Sequence, residues 1–387
     1  GTTDRPVEHV YFNNIAFRHT SWMRPSEKGH VPLQAGMYMT EAYRLDPQIV
    51  RIDNHKLDNQ GWLGRGAAAV TVKGANYINF KGCRFENLGF SGLDYVTGTQ
   101  GGVTEGCVFK DIAGNGLVAG SFSPASLETH LPYNPQDKRE ICTALTVKNN
   151  VFTNVTNEDW GCDAIAAGYV RNMTIEHNDI SQISYMGISL GWGWNRNLID
   201  MQGNTVRANR IYLYARHMYD VAAIYTLGAQ PKTVISENYI HDIYGPGYTH
   251  DPHHWFYIYN DEGSSFMTVK NNWVPAEKFL QNANGPNNIW TNNNAYVHDS
   301  IQLKAGLEPS FRSLLADVDT RPTGKIQEVP HFAAIEFIGE SIDTAAVMTT
   351  ARANGAIKPL LYRWNNHTVL YAKMNQVENL KSVYTKL

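Results

Sequence analysis

The stretch VKNNVFTNV at Val147–Val155 decides the fold, because segments with the same pattern recur along most of the chain. Each copy places an Asn or a Cys between two short, strand-like apolar runs. The other copies are FKGCRFENL at Phe80–Leu88, TEGCVFKDI at Thr104–Ile112, IEHNDISQI at Ile175–Ile183, ISENYIHDI at Ile235–Ile243 and VKNNWV at Val269–Val274. Self-similarity at a period of roughly 20–50 residues indicates a solenoid, a propeller or another repeat array.

The spacing of the marker residues fits such an array. The markers are Cys83, Cys107, Asn150, Asn178, Asn238, Asn272 and Asn294. Cys83 and Cys107 lie 24 residues apart, and the steps from Asn150, Asn238 and Asn272 to the next marker are 28, 34 and 22 residues. The 43-residue gap between Cys107 and Asn150 fits one repeat plus an inserted loop.

The repeats read as strands. Ala144–Phe152 and Asn172–Ile180 alternate apolar and polar residues, which is the period-two signal of a strand, and both are rich in β-branched side chains. One Asn or Cys marker in each repeat favours a right-handed parallel β-helix over propeller blades or a sandwich. In such a fold equivalent residues stack about 4.8 Å apart, so that each buried Asn bonds the next in a ladder. We therefore predict an all-β protein.

Composition narrows the class of protein. The 387 residues are 43% hydrophobic and 18% charged, with a net charge of −3, which is typical of a globular domain. This charge argues against a nucleic-acid partner, and no apolar run is long enough for a membrane span. The chain opens on GTTDRP and soon enters a strand. We therefore expect an upstream segment of the same protein, with an export signal, and a secreted or periplasmic location.

The cysteines leave two alternatives open. Cys83 and Cys107 occupy equivalent places in the repeat, so they could stack as buried thiols or form a disulfide.

The repeats define the predicted domains. Residues 1–316 form the β-helix and residues 317–387 a small α+β module. The sequence from Pro309 lacks the repeat and reads as an end-cap and linker. His331–Ile338 reads as a strand, and Asp343–Gly355 as a helix with Asp343 as N-cap. IKPLLYRW and VLYAKM form a predicted hairpin, and QVENLKSVYTKL a final helix.

Polar and aromatic residues that a core would not select follow several of the later strands. On stacked repeats, residues at corresponding points lie side by side, so these could share one cleft. The candidates are Asp163, Trp192, Trp194, His217, Asp220, Tyr225, His253, His254, Trp255, Asp261 and Glu262.

A pair of carboxylates is what cleavage of a glycosidic bond requires: one acts as general acid, and the other as nucleophile or base. Asp220 precedes the strand VAAIYTLG, and Asp261 ends FYIYN one repeat later, so the two could flank a sugar. Asp163 could bind substrate. Alternatively, Asp220 caps a turn, and either Asp261 or Glu262 serves only the turn at Gly263.

The remaining candidates also have two interpretations. Trp192 and Trp194 in GWGW could stack on a sugar or fill a core corner. The group His250, Asp251, His253 and His254 has no standard metal-ligand spacing, so a loop that binds sugar hydroxyls is the better interpretation. We predict no metal and no cofactor.

Several segments resemble the β-helix glycoside hydrolases of family 141. They are GISLGWGW at Gly187–Trp194, the IYTLG strand after Asp220, IYNDEGSS at Ile258–Ser265 and AGLEPSFRSLL at Ala305–Leu315. The resemblance covers roughly residues 7–315 and implies a bacterial enzyme that degrades plant cell-wall polysaccharide, either an α-L-fucosidase or a xylanase. It places the catalytic acids at Asp220 and Asp261. The start of the family's β-helix and the module after Val318 fall outside the shared pattern.

Other β-helix enzymes fit less well. The motifs of polygalacturonases do not occur, and a pectate lyase would need a Ca²⁺-binding acidic cluster and a basic residue, for which Arg216 is the nearest candidate. The leading hypothesis is an α-L-fucosidase that acts on pectin (rhamnogalacturonan-type) side chains. The predicted substrate-binding residues are Asp163, Trp192, Trp194, His217, Tyr225, His254, Trp255 and Glu262. The alternatives are a xylanase or a non-catalytic carbohydrate-binding β-helix.

Overall fold

The computed structural model describes residues 1–42, 61–124, 127–298, 300–327, 331–338, 344–353, 357–364 and 367–374. Strands dominate these residues, and three parallel sheets, here called sheets A, B and C, make up most of the protein. The all-β prediction is therefore confirmed.

Sheet A has eleven strands. They are Val7–Glu8, Ala68–Asn76, Ser91–Gln100, Leu117–Ala119, Cys142–Thr143, Ile165–Ala167, Val170–Arg171, Ile188–Leu190, Val221–Thr226, Trp255–Asn260 and Phe279–Gln281.

Sheets B and C have nine and seven strands. Those of sheet B are Tyr11–Asn13, Asn79–Lys81, Val103–Glu105, Thr146–Lys148, Thr174–Glu176, Thr205–Arg207, Val234–Ser236, Thr268–Lys270 and Ile289–Thr291. Those of sheet C are Ala16–Thr20, Arg84–Leu88, Val108–Ile112, Val151–Val155, Asp179–Ser181, Arg210–Tyr214 and Tyr239–Ile243.

Shorter elements complete the described chain. The hairpin strands Met37–Ala42 and Gly61–Arg65 pair in antiparallel fashion. The α-helices are Arg24–Lys28, Ser300–Lys304 and Thr344–Ala353, and the 3₁₀ segments are Gln34–Gly36, Lys138–Glu140 and Pro309–Asp317. None of the helices in the described ranges is long and apolar enough to cross a membrane.

The chain visits the three sheets in a repeating order. Ser91–Gln100 lies in sheet A, Val103–Glu105 in sheet B and Val108–Ile112 in sheet C, after which the chain returns to sheet A. We call such a set of three strands a rung. Each strand pairs with its equivalents in the neighbouring rungs, so that Thr104 lies between Phe80 and Val147. Residues distant in sequence therefore become neighbours.

A ladder of buried Asn side chains marks the corner between sheets B and C. The Oδ1 atom of Asn178 accepts hydrogen bonds from the backbone N–H and the Nδ2 of Asn150, both at 3.0 Å. Nδ2 of Asn150 also donates to the Thr104 carbonyl at 3.0 Å. The same bonds recur down the ladder, which satisfies amide groups that would otherwise be costly to bury. Its Asn members are Asn150, Asn178, Asn209, Asn238, Asn272 and Asn293.

Two of these members differ from the sequence prediction. Asn293, not Asn294, continues the ladder from Asn272, so the predicted marker was wrong by one residue. Asn209 was missed, although VRANRIYLY at Val206–Tyr214 keeps the Asn-x-Ile spacing and departs from the other copies only in ending on Tyr214 instead of an aliphatic residue. With Asn209 included, the 60-residue gap between Asn178 and Asn238 becomes two ordinary repeats.

The residue before each ladder position has a left-handed backbone conformation, which lets the chain turn sharply from sheet B to sheet C. Its φ lies near +55° to +65° at Gly82, Gly106, Asn149, His177, Ala208, Glu237, Asn271 and Asn292. Gly and Asn adopt this region most easily, which explains their frequency at this position.

The interior is filled by columns of stacked apolar side chains. In sheet C the rings of Phe85, Phe109 and Phe152 stack at centroid distances of 4.6 and 4.5 Å. All four cysteines are free and buried, and the N–H of Cys83 donates to Sγ of Cys107 at 3.4 Å. Of the two alternatives, the structure therefore has stacked thiols.

The segment from Ala305 to Gln327 lies along the outside of sheet C instead of capping one end. Leu307 and Phe311 pack on Val108 and Val151, and Asp317 forms an ion pair with Arg84 at 2.8 Å. The prediction of an end-cap was wrong, because the outer face of sheet C carries apolar side chains that need a cover.

The described C-terminal elements follow the predicted β-α-β-β order. The strands His331–Ile338, His367–Met374 and Ile357–Trp364 form an antiparallel sheet in that spatial order, and Thr344–Ala353 is a helix. Asp343, its predicted N-cap, and the predicted final helix at 376–387 lie outside the described residues.

Replacing Asn209 with Ala should destabilise the protein by about 2–5 kcal/mol, because the N–H and Nδ2 of Asn178 would lose their common acceptor in the core. Asn294→Ala, outside the ladder, is the matched control and should cost less than about 1 kcal/mol. Urea unfolding followed by circular dichroism measures both losses. Equal losses would contradict the ladder as described.

Candidate functional site

The two predicted acids border one pair of strands in sheet A. Asp220 immediately precedes Val221–Thr226, and Asp261 immediately follows Trp255–Asn260. The strands are parallel, with Tyr225 beside Tyr259. Aromatic and acidic side chains from successive rungs therefore meet on this part of the sheet.

Asp220 is held by its backbone and by a histidine. Its φ is +62°, its N–H donates to the His254 carbonyl at 2.9 Å, and its own carbonyl accepts a hydrogen bond from the Tyr185 hydroxyl at 2.9 Å. Oδ1 lies 3.0 Å from Nε2 of His254. These contacts fix the carboxyl while 61% of the side chain stays exposed.

The surroundings raise the pKa of Asp220 above its ordinary value. The largest cause is loss of hydration between the walls of the site, which persists although the side chain is accessible. The charge of His254 acts in the opposite direction, and the negative charge of Asp261 adds to the rise. Both acids also raise the pKa of the Tyr259 hydroxyl, after burial as the main cause. The two carboxyls therefore belong to one electrostatic site.

Asp261 is buried, with 7% of its surface exposed, and is fully hydrogen-bonded. The Tyr225 hydroxyl donates to Oδ2 at 2.6 Å, and Nδ2 of Asn282 donates to Oδ1 at 2.8 Å. Two donors on the two oxygens suit an ionised carboxylate. The turn after it requires glycine, because Gly263 has φ +78° and a Cβ there would lie 1.9 Å from the Asn195 carbonyl oxygen.

Trp192 and Trp255 do not reach this site. Trp192 is 1% exposed, packs edge-to-face on Phe122 and donates from Nε1 to Ser123 Oγ at 3.2 Å. Trp255 is 5% exposed, with Lys278 Nζ 3.8 Å above its ring. The predicted stacking of a sugar on Trp192 and the predicted binding of substrate by Trp255 do not fit their burial. Trp192 packs in a cluster with residues of the hairpin strands Met37–Ala42 and Gly61–Arg65 on the outer face of sheet A.

Asp163 is also placed in the interior. It is fully buried, and neither carboxyl oxygen has a hydrogen-bond partner among the described residues. Burial raises the pKa of Asp163 to about 8, so the carboxyl is protonated at neutral pH. It cannot contact a substrate directly.

The other predicted binding residues lie nearer the acids. His254 contacts Asp220 and Tyr225 contacts Asp261. The ring of His217 stacks on Trp160 at 4.4 Å, and its Nδ1 lies 3.0 Å from the Tyr248 hydroxyl. Trp194 is half-buried beside His130. Glu262 is half-buried in the turn after Asp261, and its carbonyl accepts a hydrogen bond from the N–H of Gly228.

A cleft of about 640 Å³ opens next to Asp220. Trp22, Phe90, Trp160 and Tyr185 line it, and Tyr185 is the residue that bonds the backbone of Asp220. A larger cavity, of about 820 Å³, lies at the corner between sheets B and C around His177, Arg207 and Glu237, and neither acid lines it. Neither acid lines the cleft of about 640 Å³ itself, but Tyr185 and Met218 connect it to Asp220, which makes it the nearer of the two spaces.

Sequence reasoning missed four residues of the site: Tyr185, Tyr259, Trp160 and Asn282. Strand alternation could have found Tyr259, which lies two residues before Asp261 and pairs with Tyr225. Asn282 sits in a polar loop, where nothing in the sequence distinguishes it from Asn284 or Asn287. Within the described ranges, no group of three or more His, Cys, Asp or Glu is arranged to hold a metal ion.

The chain is similar to proteins of known structure. A solved structure titled "Glycoside hydrolase" is 61% identical in sequence, with a TM-score of 0.79, over 81% of this chain and 52% of that protein. The chain thus spans about half the length of this neighbour. PfbA, a surface adhesin of Streptococcus pneumoniae, is 13% identical over 76% of this chain and 73% of its own, with a TM-score of 0.31 that supports no argument. No family model and no curated protein matches the chain.

Replacing Asp163 with Asn should stabilise the protein at pH 8 but not at pH 4. The folded state keeps a proton that the unfolded chain releases above about pH 4, so wild-type stability falls as pH rises toward the folded pKa of about 8. The amide side chain of the Asp163→Asn variant has no titratable proton, so its contribution to stability does not change with pH. We expect a gain of about 2–4 kcal/mol at pH 8 in urea unfolding.

Asp319→Asn, an exposed acid paired with Arg321, is the control and should give no gain at pH 8. An equal gain from Asp163→Asn at both pH values would contradict the buried, protonated carboxyl.

Proposed function

We propose that this chain is the catalytic part of a glycoside hydrolase that cleaves plant cell-wall polysaccharide. The solved neighbour at 61% identity, titled as such an enzyme, supports this function. The observation that carries it is the pair Asp220 and Asp261, at opposite ends of two paired strands: the charge of Asp261 helps to raise the pKa of Asp220, and Tyr185, which bonds the Asp220 backbone, lines an open cleft. A glycosidase needs two such carboxyls.

Asp220 is the general acid in this proposal. Its raised pKa favours the protonated form, and its exposure lets it reach the glycosidic oxygen of a bound sugar. As the bond breaks, Asp220 gives its proton to the leaving oxygen, which prevents an alkoxide from forming. His254 holds the carboxyl in place from 3.0 Å.

Asp261 is the ionised partner. The hydrogen bonds from Tyr225 and Asn282 orient its oxygens, and its charge can stabilise the positive charge that develops on the sugar ring. It acts either directly on the anomeric carbon or through a water molecule. Tyr225 therefore positions a carboxylate instead of binding sugar, which refines its predicted role.

We further propose that sheets A, B and C form a right-handed parallel β-helix. The repeating A-to-B-to-C order and the parallel pairing of successive rungs support this architecture. Crossover connections between parallel strands are right-handed in about 98% of cases. The predicted boundary between residues 316 and 317 falls inside the segment Ala305–Gln327, which is bonded to the sheets as far as Gln327, so the proposed catalytic domain extends through residue 327.

The proposed substrate is an α-L-fucosyl unit on a pectin side chain, with xylan as the alternative. Both come from the resemblance to family 141 carried by Gly187–Trp194 and Ile258–Ser265. Such polymers lie outside the cell, which supports a secreted or periplasmic protein.

Asp220→Asn and Asp261→Asn should each lower kcat by about 10³-fold or more without loss of folding, because each removes one half of the acid pair. The measurement is release of monosaccharides from pectin and xylan oligosaccharides, with product identity assigning the sugar. Asp319→Asn serves as the control and should keep full activity. Ordinary activity in both variants would refute the assignment. Binding without release by the wild type would indicate a carbohydrate-binding protein instead.

His254→Ala should move the alkaline limb of the kcat/KM profile to higher pH. The charge of His254 lowers the pKa of Asp220 within the site, so its removal lets the acid keep its proton longer. The profile is measured from about pH 4 to pH 9. A limb that stays in place or moves to lower pH would exclude Asp220 as the group that must be protonated.

A further inference from the structure

The cleft beside Asp220 has aromatic walls. Trp22 packs on Phe90 with ring centroids 4.0 Å apart, and Trp160 and Tyr185 also line the space. Met218, two residues before Asp220, lies at the same margin. A sugar unit bound in this cleft would therefore lie next to the glycosidic bond on which Asp220 and Asp261 act.

Trp160 is oriented before any ligand arrives. It stacks on His217 at 4.4 Å and 16°, and its Nε1 donates to the Asn157 carbonyl at 3.3 Å. The side chain is nevertheless 44% exposed, which is unusual for such a large apolar group. A fixed and accessible indole suits the C–H face of a sugar ring, because little entropy is lost on binding.

The polar side chains that line the cleft are two acids, Glu158 and Asp159, with His30 and Gln34. Glu158 is exposed, and the mostly buried Asp159 lies 2.9 Å from Nε2 of His30. None of the residues that line this cleft in the described part of the chain is Lys or Arg. The imidazole of His30 already faces Asp159, so a bound carboxylate would meet the charge of Glu158 and no free cationic partner among these lining residues.

We infer that this cleft is a subsite for a neutral glycosyl unit next to the cleaved bond, stacked on Trp160, and that it rejects uronic acids. The inference rests on the proposed function for the identity of the ligand as a sugar. Glu158 and Asp159 supply the discrimination through repulsion and hydrogen bonding to hydroxyls. Substrates would then carry an uncharged sugar at this position, even where the polymer around it contains uronate.

Calorimetric titration of the Asp220→Asn variant tests the subsite without turnover. The ligands are xylotriose, arabinotriose and galactotriose, with trigalacturonic acid as the charged counterpart. At least one neutral trisaccharide should bind about tenfold more tightly than trigalacturonic acid at pH 7. Adding Trp160→Ala should weaken that binding about tenfold, whereas Trp160→Phe should retain most of it. Glu158→Gln should narrow the gap between neutral and charged ligands.

The control is Tyr11→Ala, an exposed aromatic residue in the first strand of sheet B, which should leave binding unchanged. Tighter binding of trigalacturonic acid than of every neutral ligand, or unchanged binding in Trp160→Ala, would overturn the subsite. If neutral trisaccharides bind in a way that depends on Trp160 but the wild-type protein releases no sugar, the subsite would be supported and the hydrolase activity refuted. If the enzyme releases sugar and Trp160→Ala leaves its KM unchanged, the subsite would be refuted while the proposed hydrolase activity would stand.

Discussion

The amide-to-amide hydrogen bond between buried asparagines is the interaction on which the rest of the structure depends. From the rung of Asn178 onward, one Oδ1 accepts from the backbone and the side chain of the previous rung, while Nδ2 reaches a carbonyl one strand away. A shift of one residue at Asn178, Asn209 or Asn238 would bring in a neighbouring side chain that cannot replace the amide. The ladder therefore fixes the register of sheets B and C, and the register of sheet A follows from the connecting turns.

That register creates the site. Because Val221–Thr226 and Trp255–Asn260 pair without a slip, Tyr225 comes beside Tyr259 and donates to the carboxyl that follows the second strand. Asp220 gains its partner by the same means, since its N–H pairs with the backbone of His254. The carboxyls thus differ through their neighbours: one is exposed against a histidine, and the other is buried under two donors. Two identical side chains acquire different surroundings through position alone.

The repeats were predictable because a period-two pattern and a marker residue are local properties of the sequence. The acids were predictable because they end and begin strands. The burial of individual side chains was not predictable from the sequence. Trp192, for example, is covered by a hairpin whose strands are distant in sequence and carry no repeat. Asp163 looked like a site residue for the same reason, although it lies wholly inside. Asn209 was predictable from the same spacing, since Val206–Tyr214 follows the pattern apart from its last residue, and the hydrogen bonds place it in the ladder.

The segment Ala305–Gln327, on the outside of sheet C, changes how the protein should unfold. Stacked repeats usually fray from one end, because each touches only its neighbours. Here Asp317 is tied to Arg84, Glu308 to Asn149 and Ile326 to Tyr244, which joins rungs separated by up to about 160 residues. Loss of a terminal rung would therefore also release contacts far along the array, and melting should be cooperative across it.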